Sequence, residues 1–297
     1  MPSSIIGEKS PPSTTPSAGR FAPSPSGPLH LGSLVAAVAS YMIAKQKGGL
    51  WLVRIEDLDP PREIVGAAQS ILQSLEDFGL HWDGEIIYQS QRADLYQQKL
   101  WELSRHSFVY ACDCSRRVIT QRNRGIYDGF CQRRKLSIKS QHALRIHFEA
   151  GYEAFYDQIQ GPCHFFSSAD KQDFIIRRRD GLFAYQLAVV VDDLEQNVDH
   201  IVRGVDIIDS TPRQNFLYDC FNQPAPSYYH LPLVSDRDGV KFSKRSGAAG
   251  IDKQYASELL IKALSHLNQP VDPQLIEGTP EEIIKLYEKN WDEKLIK

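Results

Sequence analysis

The chain has 297 residues, enough for one large domain or two modest ones around a sizeable apolar core. With 42% apolar and 24% charged residues it has globular composition, and no apolar run approaches the roughly 18 residues of a membrane span, which counts against a membrane protein. A net charge of −3 excludes a surface coated in cations for nonspecific nucleic-acid binding, so any RNA contact must be local.

Residues 1–19 are rich in Ser, Pro and Thr without an apolar h-region, and read as a disordered tail, not a signal peptide; the expected compartment is the cytoplasm. Residues 20–23 form a short strand leading into a Ser/Pro/Gly turn, and residues 31–47 have helical composition and length. The apolar run LWLVRI at 50–55 suits a buried parallel strand, and 64–78 is helical, with apolar residues three and four apart. This alternation predicts an open α/β sheet. From 108 to about 166 the style changes to Cys, Arg and Tyr-rich loops with a strand-like piece at 143–148, predicting an inserted subdomain at the sheet's edge. Residues 174–177, 184–191 (AYQLAVVV) and 200–203 return to the β-branched style of the first part, and 212–221 is helical. Helices are also expected over 253–267 and 280–295. The organisation expected is a tail (1–19), a catalytic α/β domain (20–107 and 167–235), an insertion (108–166) and a loop with a helical segment (236–297).

Two elements carry phosphate chemistry. Ser24-Pro25-Ser26-Gly27-Pro28 brings backbone close to a ligand, and His30-Leu31-Gly32-Ser33 sets an imidazole at a helix N-terminus, where backbone N–H groups attract anions; Gly32 leaves room for a base. Alone this loop is common, and His30 could equally cap the helix or sit in the core. Lys241-Phe242-Ser243-Lys244-Arg245 gathers cations that can stabilise a departing pyrophosphate, although basic loops are often only solvated surface.

Of five cysteines, Cys112, Cys114 and Cys131 cluster, which fits zinc better than a disulfide frame; Cys163 and Cys220 are expected to be plain buried residues. Composition favours His106 or His142 over Tyr127 as a fourth ligand, because imidazole binds zinc readily at neutral pH. Arg116, Arg117, Arg122, Arg124, Arg133, Arg134 and Lys135 form one basic cluster and Arg177, Arg178 and Arg179 another, each an RNA contact or a solvated face.

In that order the two phosphate elements resemble the HIGH and KMSKS signatures of class I aminoacyl-tRNA synthetases. Residues 20–33, RFAPSPSGPLHLGS, are similar to the opening of glutamyl-tRNA synthetases, and RIEDLDPPR (54–62), YQLAVVVDD (185–193) and VRGVD (202–206) match further motifs of that family in order. The resemblance implies a Rossmann-type parallel sheet that joins L-glutamate to ATP as glutamyl-adenylate. Arg20, Phe21, Ala22, Pro23, Ser24, Glu56, Tyr185 and Arg203 would contact glutamate, with Arg20 on its side-chain carboxylate and Glu56 on its ammonium. His30, Gly32, Ser33, Lys241, Ser243 and Lys244 would bind ATP and its Mg²⁺, with His30 and Lys244 catalytic. Taken without the resemblance, Glu56 reads as a partner of Arg54 or Arg62, and Tyr185 as a packed strand residue. Ser33 stands where the signature has its second histidine, so that imidazole is missing or replaced.

The short relatives of this family, the glutamyl-queuosine tRNA(Asp) synthetases, have a Cys-x-Cys, Tyr, Cys arrangement in their insertion, which implies Cys112, Cys114, Tyr127 and Cys131 as ligands of one structural zinc. The stretch 246–297 is too short for an anticodon-binding domain, and the resemblance then implies transfer of glutamate, activated without tRNA, to queuosine at the wobble position of tRNA(Asp) by a monomer. The alternatives are a shortened synthetase charging a tRNA 3′ end and a non-catalytic paralogue that acts as a binding protein.

Overall fold

A computed structural model describes residues 16–106, 108–138, 141–148, 151–152, 154–165, 172–234 and 250–297. Strand β1 (Ala18–Phe21) leads through a Pro/Gly loop into helix α1 (Leu31–Gln46), and β2 (Leu50–Ile55) returns parallel to β1, with Arg20 beside Leu52. Helix α2 (Ala67–Asp77), strand β3 (Ile87–Tyr88) beside β2, and helix α3 (Ala93–Arg105) follow. Next come β4 (Val109–Cys112), α4 (Arg116–Asn123), α5 (Phe130–Arg134), β5 (Ala143–Ile146), the hairpin β6 (Ala154–Asp157) and β7 (Gly161–His164), and β8 (Phe174–Arg177). The chain continues through α6 (Tyr185–Glu195), β9 (His200–Gly204), α7 (Thr211–Cys220), β10 (Ser227–Leu231), α8 (Ala256–His266) and α9 (Pro280–Asn290).

The main sheet has the order β3-β2-β1-β9-β10-β6-β7 and is parallel except for its last pair. It grows outward from β1 through β2 to β3, then resumes on the other side of β1 with β9 and β10, so strand order reverses at β1 and β9. Open α/β sheets bind ligands at such a reversal, outside the carboxyl ends of the strands. Gly19 is required there, because a Cβ would collide with the imidazole of His200 on β9.

Four expectations need correction. The tail reading runs too far, because Ala18 and Gly19 already belong to β1. The run at 184–191 is helical: Leu187, Ala188, Val190 and Val191 of α6 are buried among residues of α3, β8 and α7, and that burial outweighs the few tenths of a kcal/mol each β-branched residue costs a helix. The insertion is not one block. Strands β4, β5 and β8 make a separate antiparallel sheet, which takes in 174–177, whereas β6 and β7 extend the main sheet through a parallel contact of Asp157 with Tyr228. The helical segment set apart at 236–297 shares its core with the catalytic domain, since Leu260, Leu264, Ile283 and Ile284 pack in one cluster with Leu34, Val38 and Met42 of α1. With apolar partners on several sides, α1 keeps no broad polar face. No helix among the described residues is long and apolar enough to cross a membrane.

Candidate active site

A cleft of about 870 Å³ opens at the carboxyl ends of β1, β2, β9 and β10. Its walls include Arg20, Phe21, Ala22, Pro23, Ser24, His30, Gly32, Ser33, Glu56, Tyr185 and Arg203, every described residue expected at the glutamate and ATP sites. Lys241, Ser243 and Lys244 lie outside the described residues. Ile251 lies beside the phosphate-type loop, its N–H donating to the Leu29 carbonyl at 3.0 Å.

His30 caps α1. It is extended (φ −118°, ψ 172°), its Nδ1 accepts from the Ser33 N–H at 3.2 Å, and its Nε2 lies 3.2 Å from the Ser33 hydroxyl. The first turn holds no acidic side chain, so the partial positive charge of the helix terminus faces the cleft uncancelled by a local carboxylate.

Arg20 reaches the cleft from β1 through a buried ionic network. Its Nε and Nη2 donate to Asp193 of α6 at 3.1 and 3.3 Å, and Arg54 of β2 donates to the same carboxylate at 2.7 Å. Asp192 accepts from Arg92, Gln89 and Tyr96 at 2.6–2.7 Å. Burial works against the charge on Asp193, but Arg20 and Arg54 overcome it and hold the carboxyl below its usual range. Glu56 follows β2 with its carboxylate 3.5 Å from Arg54, so the partnership with Arg54 exists, while Arg62 pairs with Asp59 instead. Burial wins at Glu56 and raises its pKa despite Arg54 and Arg20. Burial likewise raises the Tyr185 hydroxyl.

Arg203 is anchored at all three nitrogens: Nε donates to His230 Nε2 at 2.9 Å, Nη1 to Gln214 at 2.7 Å and Nη2 to Thr211 at 2.7 Å. The sequence names Arg54 only as a partner for Glu56 and gives no role to Asp193, Thr211, Gln214, His230 or Asp157. Adjacent acids closing the apolar run at Asp192 and Asp193 were a usable signal, because two carboxylates on a buried helix require cations. Asp157 and His230 lie far apart in sequence and gave no local sign.

In the insertion, the Sγ atoms of Cys112, Cys114 and Cys131 lie within 4.8 Å of one another. No histidine nitrogen joins that group among the described residues, and His142 is bonded instead to the Ser137 carbonyl at 3.2 Å. The Tyr127 hydroxyl accepts from the Cys131 N–H at 2.9 Å within the same buried cluster. Guanidinium groups of Arg145 and Arg122 contact Cys112 at 3.4 Å and Cys114 at 3.2 Å; burial works against the Cys112 thiolate but Arg145 holds that thiol below its usual range, whereas burial pushes Cys131 up to about 11. Three convergent sulfurs in a segment with little core of its own fit a soft structural ion such as zinc. Cys163 and Cys220 are half-buried and lie apart from the cluster. The second basic cluster is largely paired: Arg178 binds Asp59 and Asp180, and Arg179 the Asp113 carbonyl. Arg116, Arg117, Arg124, Arg133 and Lys135 are exposed.

A nucleotide-type cleft at a strand-order reversal, with both signatures in order, defines a class I synthetase catalytic domain, and residues 18–268 match the family of class I tRNA synthetases for glutamate and glutamine (E and Q) over that domain. Glutamyl-Q tRNA(Asp) synthetase of Pseudomonas syringae pv. tomato is 46% identical over 278 residues, covering 94% of each chain, and that of Yersinia pseudotuberculosis is 51% identical over 253 residues, covering 85% of this chain and 76% of its own. The chain belongs to the glutamyl-Q tRNA(Asp) synthetase family and is a ligase-type enzyme of class I. The fold is also that of glutamate-tRNA synthetase from Elizabethkingia anophelis, with a TM-score of 0.79 at 24% identity; the match covers 95% of this chain and 66% of that longer one.

Proposed function

We propose that this enzyme joins L-glutamate to ATP as glutamyl-adenylate without tRNA, and then transfers the glutamyl group to queuosine at the wobble position of tRNA(Asp). The observation that carries the first step is the convergence of two anchored arginines, Arg20 and Arg203, with Glu56 and Tyr185 in a cleft headed by the N-terminus of α1. A substrate with two carboxylates and one ammonium needs two cations and an acceptor. Arg20 takes the side-chain carboxylate and Glu56 the ammonium; an arriving cation also offsets the cost of burying the Glu56 charge. The backbone of Phe21, Ala22, Pro23 and Ser24 lines the amino acid.

An oxygen of the glutamate α-carboxylate attacks the α-phosphorus of ATP in line, and the bond to pyrophosphate breaks. His30, Gly32 and Ser33 hold ATP at the helix terminus, while Lys241, Ser243 and Lys244, a few residues before the anchored Ile251, stabilise the departing pyrophosphate. Mg²⁺ bound with ATP offsets phosphate charge. A hydroxyl of the acceptor then attacks the acyl carbon, and AMP leaves. The relatives' name supports the acceptor. Cys112, Cys114, Cys131 and Tyr127 would hold zinc, which orders the insertion so that its exposed arginines meet RNA phosphates.

Glutamate-dependent ATP/pyrophosphate exchange without tRNA tests the first step, and its absence with zinc and magnesium supplied would refute it. Labelled glutamate followed onto tRNA(Asp) with and without queuosine tests the second. Label that maps to the 3′ end would overturn the acceptor.

A further inference from the structure

We propose that His230, oriented by Asp157, is a positioning residue for the Arg203 guanidinium, so that the β6–β7 hairpin sets the geometry of the amino-acid site. The inference rests on the reading of Arg203 as a glutamate ligand. His230 and Arg203 are register partners on the parallel strands β10 and β9. Arginine has no acceptor, so its Nε–H, 2.9 Å from His230 Nε2, requires that nitrogen to carry a lone pair. The Thr211 hydroxyl accepts from Arg203 and lies 3.3 Å from the same Nε2, where its own hydrogen can go. The ring proton is therefore on Nδ1, which donates to Asp157 Oδ2 at 2.6 Å.

Asp157 is fixed in turn. Its Oδ1 accepts the N–H groups of Ile159 and Gln160 at 2.9 and 2.8 Å, and both of its oxygens lie 3.2 Å from the His230 N–H. Asp157 and His230 are fully buried, and neither lines the cleft. The side-chain route from this pair to the cleft runs through Arg203. With Nε, Nη1 and Nη2 each anchored once, each terminal nitrogen keeps a second hydrogen, the fork that grips a carboxylate. Loss of the Nε anchor lets that fork swing.

Protonation of His230 breaks the same anchor, because an Nε2–H would oppose the Arg203 Nε–H. The groups packed on the ring are Asp157 and the Phe155 ring from β6, Arg203 from β9, Thr211 from α7 and Tyr228 from its own strand, with Arg20 of β1 farther off. Burial first, and then Arg203, lower the His230 pKa against the pull of Asp157.

Glutamate and ATP KM values from pyrophosphate exchange by the full chain test this. His230→Phe removes the acceptor and should raise glutamate KM roughly 10- to 100-fold, the worth of a hydrogen bond to a charged group, with ATP KM within about twofold. Asp157→Asn presents an amide N–H to Nδ1, inverts the tautomer and should do the same. His230→Gln can accept from Arg203 and donate to Asp157, so it should stay near wild type and lose the rise in glutamate KM at acid pH. The positioning claim falls if His230→Phe, folded by circular dichroism, keeps wild-type glutamate KM, or if both KM values rise together. Should that variant not fold, the contrast between Asp157→Asn and His230→Gln decides by the same criteria. Unchanged glutamate KM in Arg203→Lys would instead sink the ligand reading; a rise there without one in the His230 and Asp157 variants would sink the positioning claim alone.

Discussion

Asp193 is the structural keystone of the Arg20 side of the cleft, where we propose that glutamate binds, and Asp193→Ala is the most decisive perturbation of it. The carboxylate, with a side chain only 1% exposed, accepts two bonds from Arg20 and one from Arg54, at 2.7–3.3 Å. Alanine leaves those two buried guanidinium groups facing each other. The carboxylates left near Arg54, Glu56 and Asp192, stand 3.5 and 3.8 Å away, attracted but not hydrogen-bonded. Breaking a buried pair by removing one partner costs about 3–5 kcal/mol, and so little solvent reaches this one that screening gives no discount. At about 2–4 °C per kcal/mol for domains somewhat smaller than this chain, melting should fall by roughly 6–20 °C. Arg20 loses both of its bonds to the carboxylate, so glutamate KM should rise in any variant that folds, with ATP KM little changed. Asp193→Asn keeps the volume and one acceptor and should fall between. Thermal melting by circular dichroism and pyrophosphate exchange measure the two effects. A melting shift below about 2 °C, or an unchanged glutamate KM, would refute the view that Asp193 holds Arg20 in place.

The remaining tests separate the cleft from the insertion. Cys131→Ser should abolish bound zinc in elemental analysis and impair transfer to RNA far more than exchange; equal loss of both would sink the division of labour between insertion and cleft. His30→Ala removes the cap of α1, which should cost about 0.5–2 kcal/mol of stability. On the proposed ATP site it also removes an imidazole that would meet the phosphates, so exchange should drop about 100-fold while glutamate affinity, measured by calorimetry without ATP, stays unchanged. A drop of only a few-fold would leave His30 as a cap and nothing more.

How far each feature could be read depended on whether its cause was local. The strand–loop–helix of β1 and α1 announces itself because proline, glycine and a capping histidine act on their neighbours. The eleven expected residues that line the cleft lie in four short motifs, three of them at the ends of β1, β2 and β9 and the fourth at the start of α6, so the fold collects them without long-range guesswork. Helix α6 was misread because valine prefers strands weakly, and a fully buried segment has no polar face to betray its period. The division of the insertion was hidden for another reason: β6 reaches β10 across some 70 residues of sequence, through Asp157 at Tyr228. Nothing near either residue encodes that pairing.

The two arginines of the cleft are held by unlike means, and this fixes the order in which acid should release them. Arg20 is tied to Asp193, a carboxylate whose pKa two guanidinium groups hold below the ordinary value of 3.8, so this tie survives until pH falls beneath that value. Arg203 is tied to neutral acceptors, one of them the His230 ring, whose pKa burial lowers from the ordinary 6.5. The neutral ring is needed, so its contribution is complete above about 6.5 and is lost as pH falls through the lowered value. On acidification the Arg203 side should therefore give way first. Glutamate KM in exchange assays should rise as pH falls through that lowered value, while the chain stays folded, and His230→Gln should remove that rise. A rise that persists in His230→Gln would assign it to another group, and a single collapse of KM and folding together would show that the two anchors are not independent.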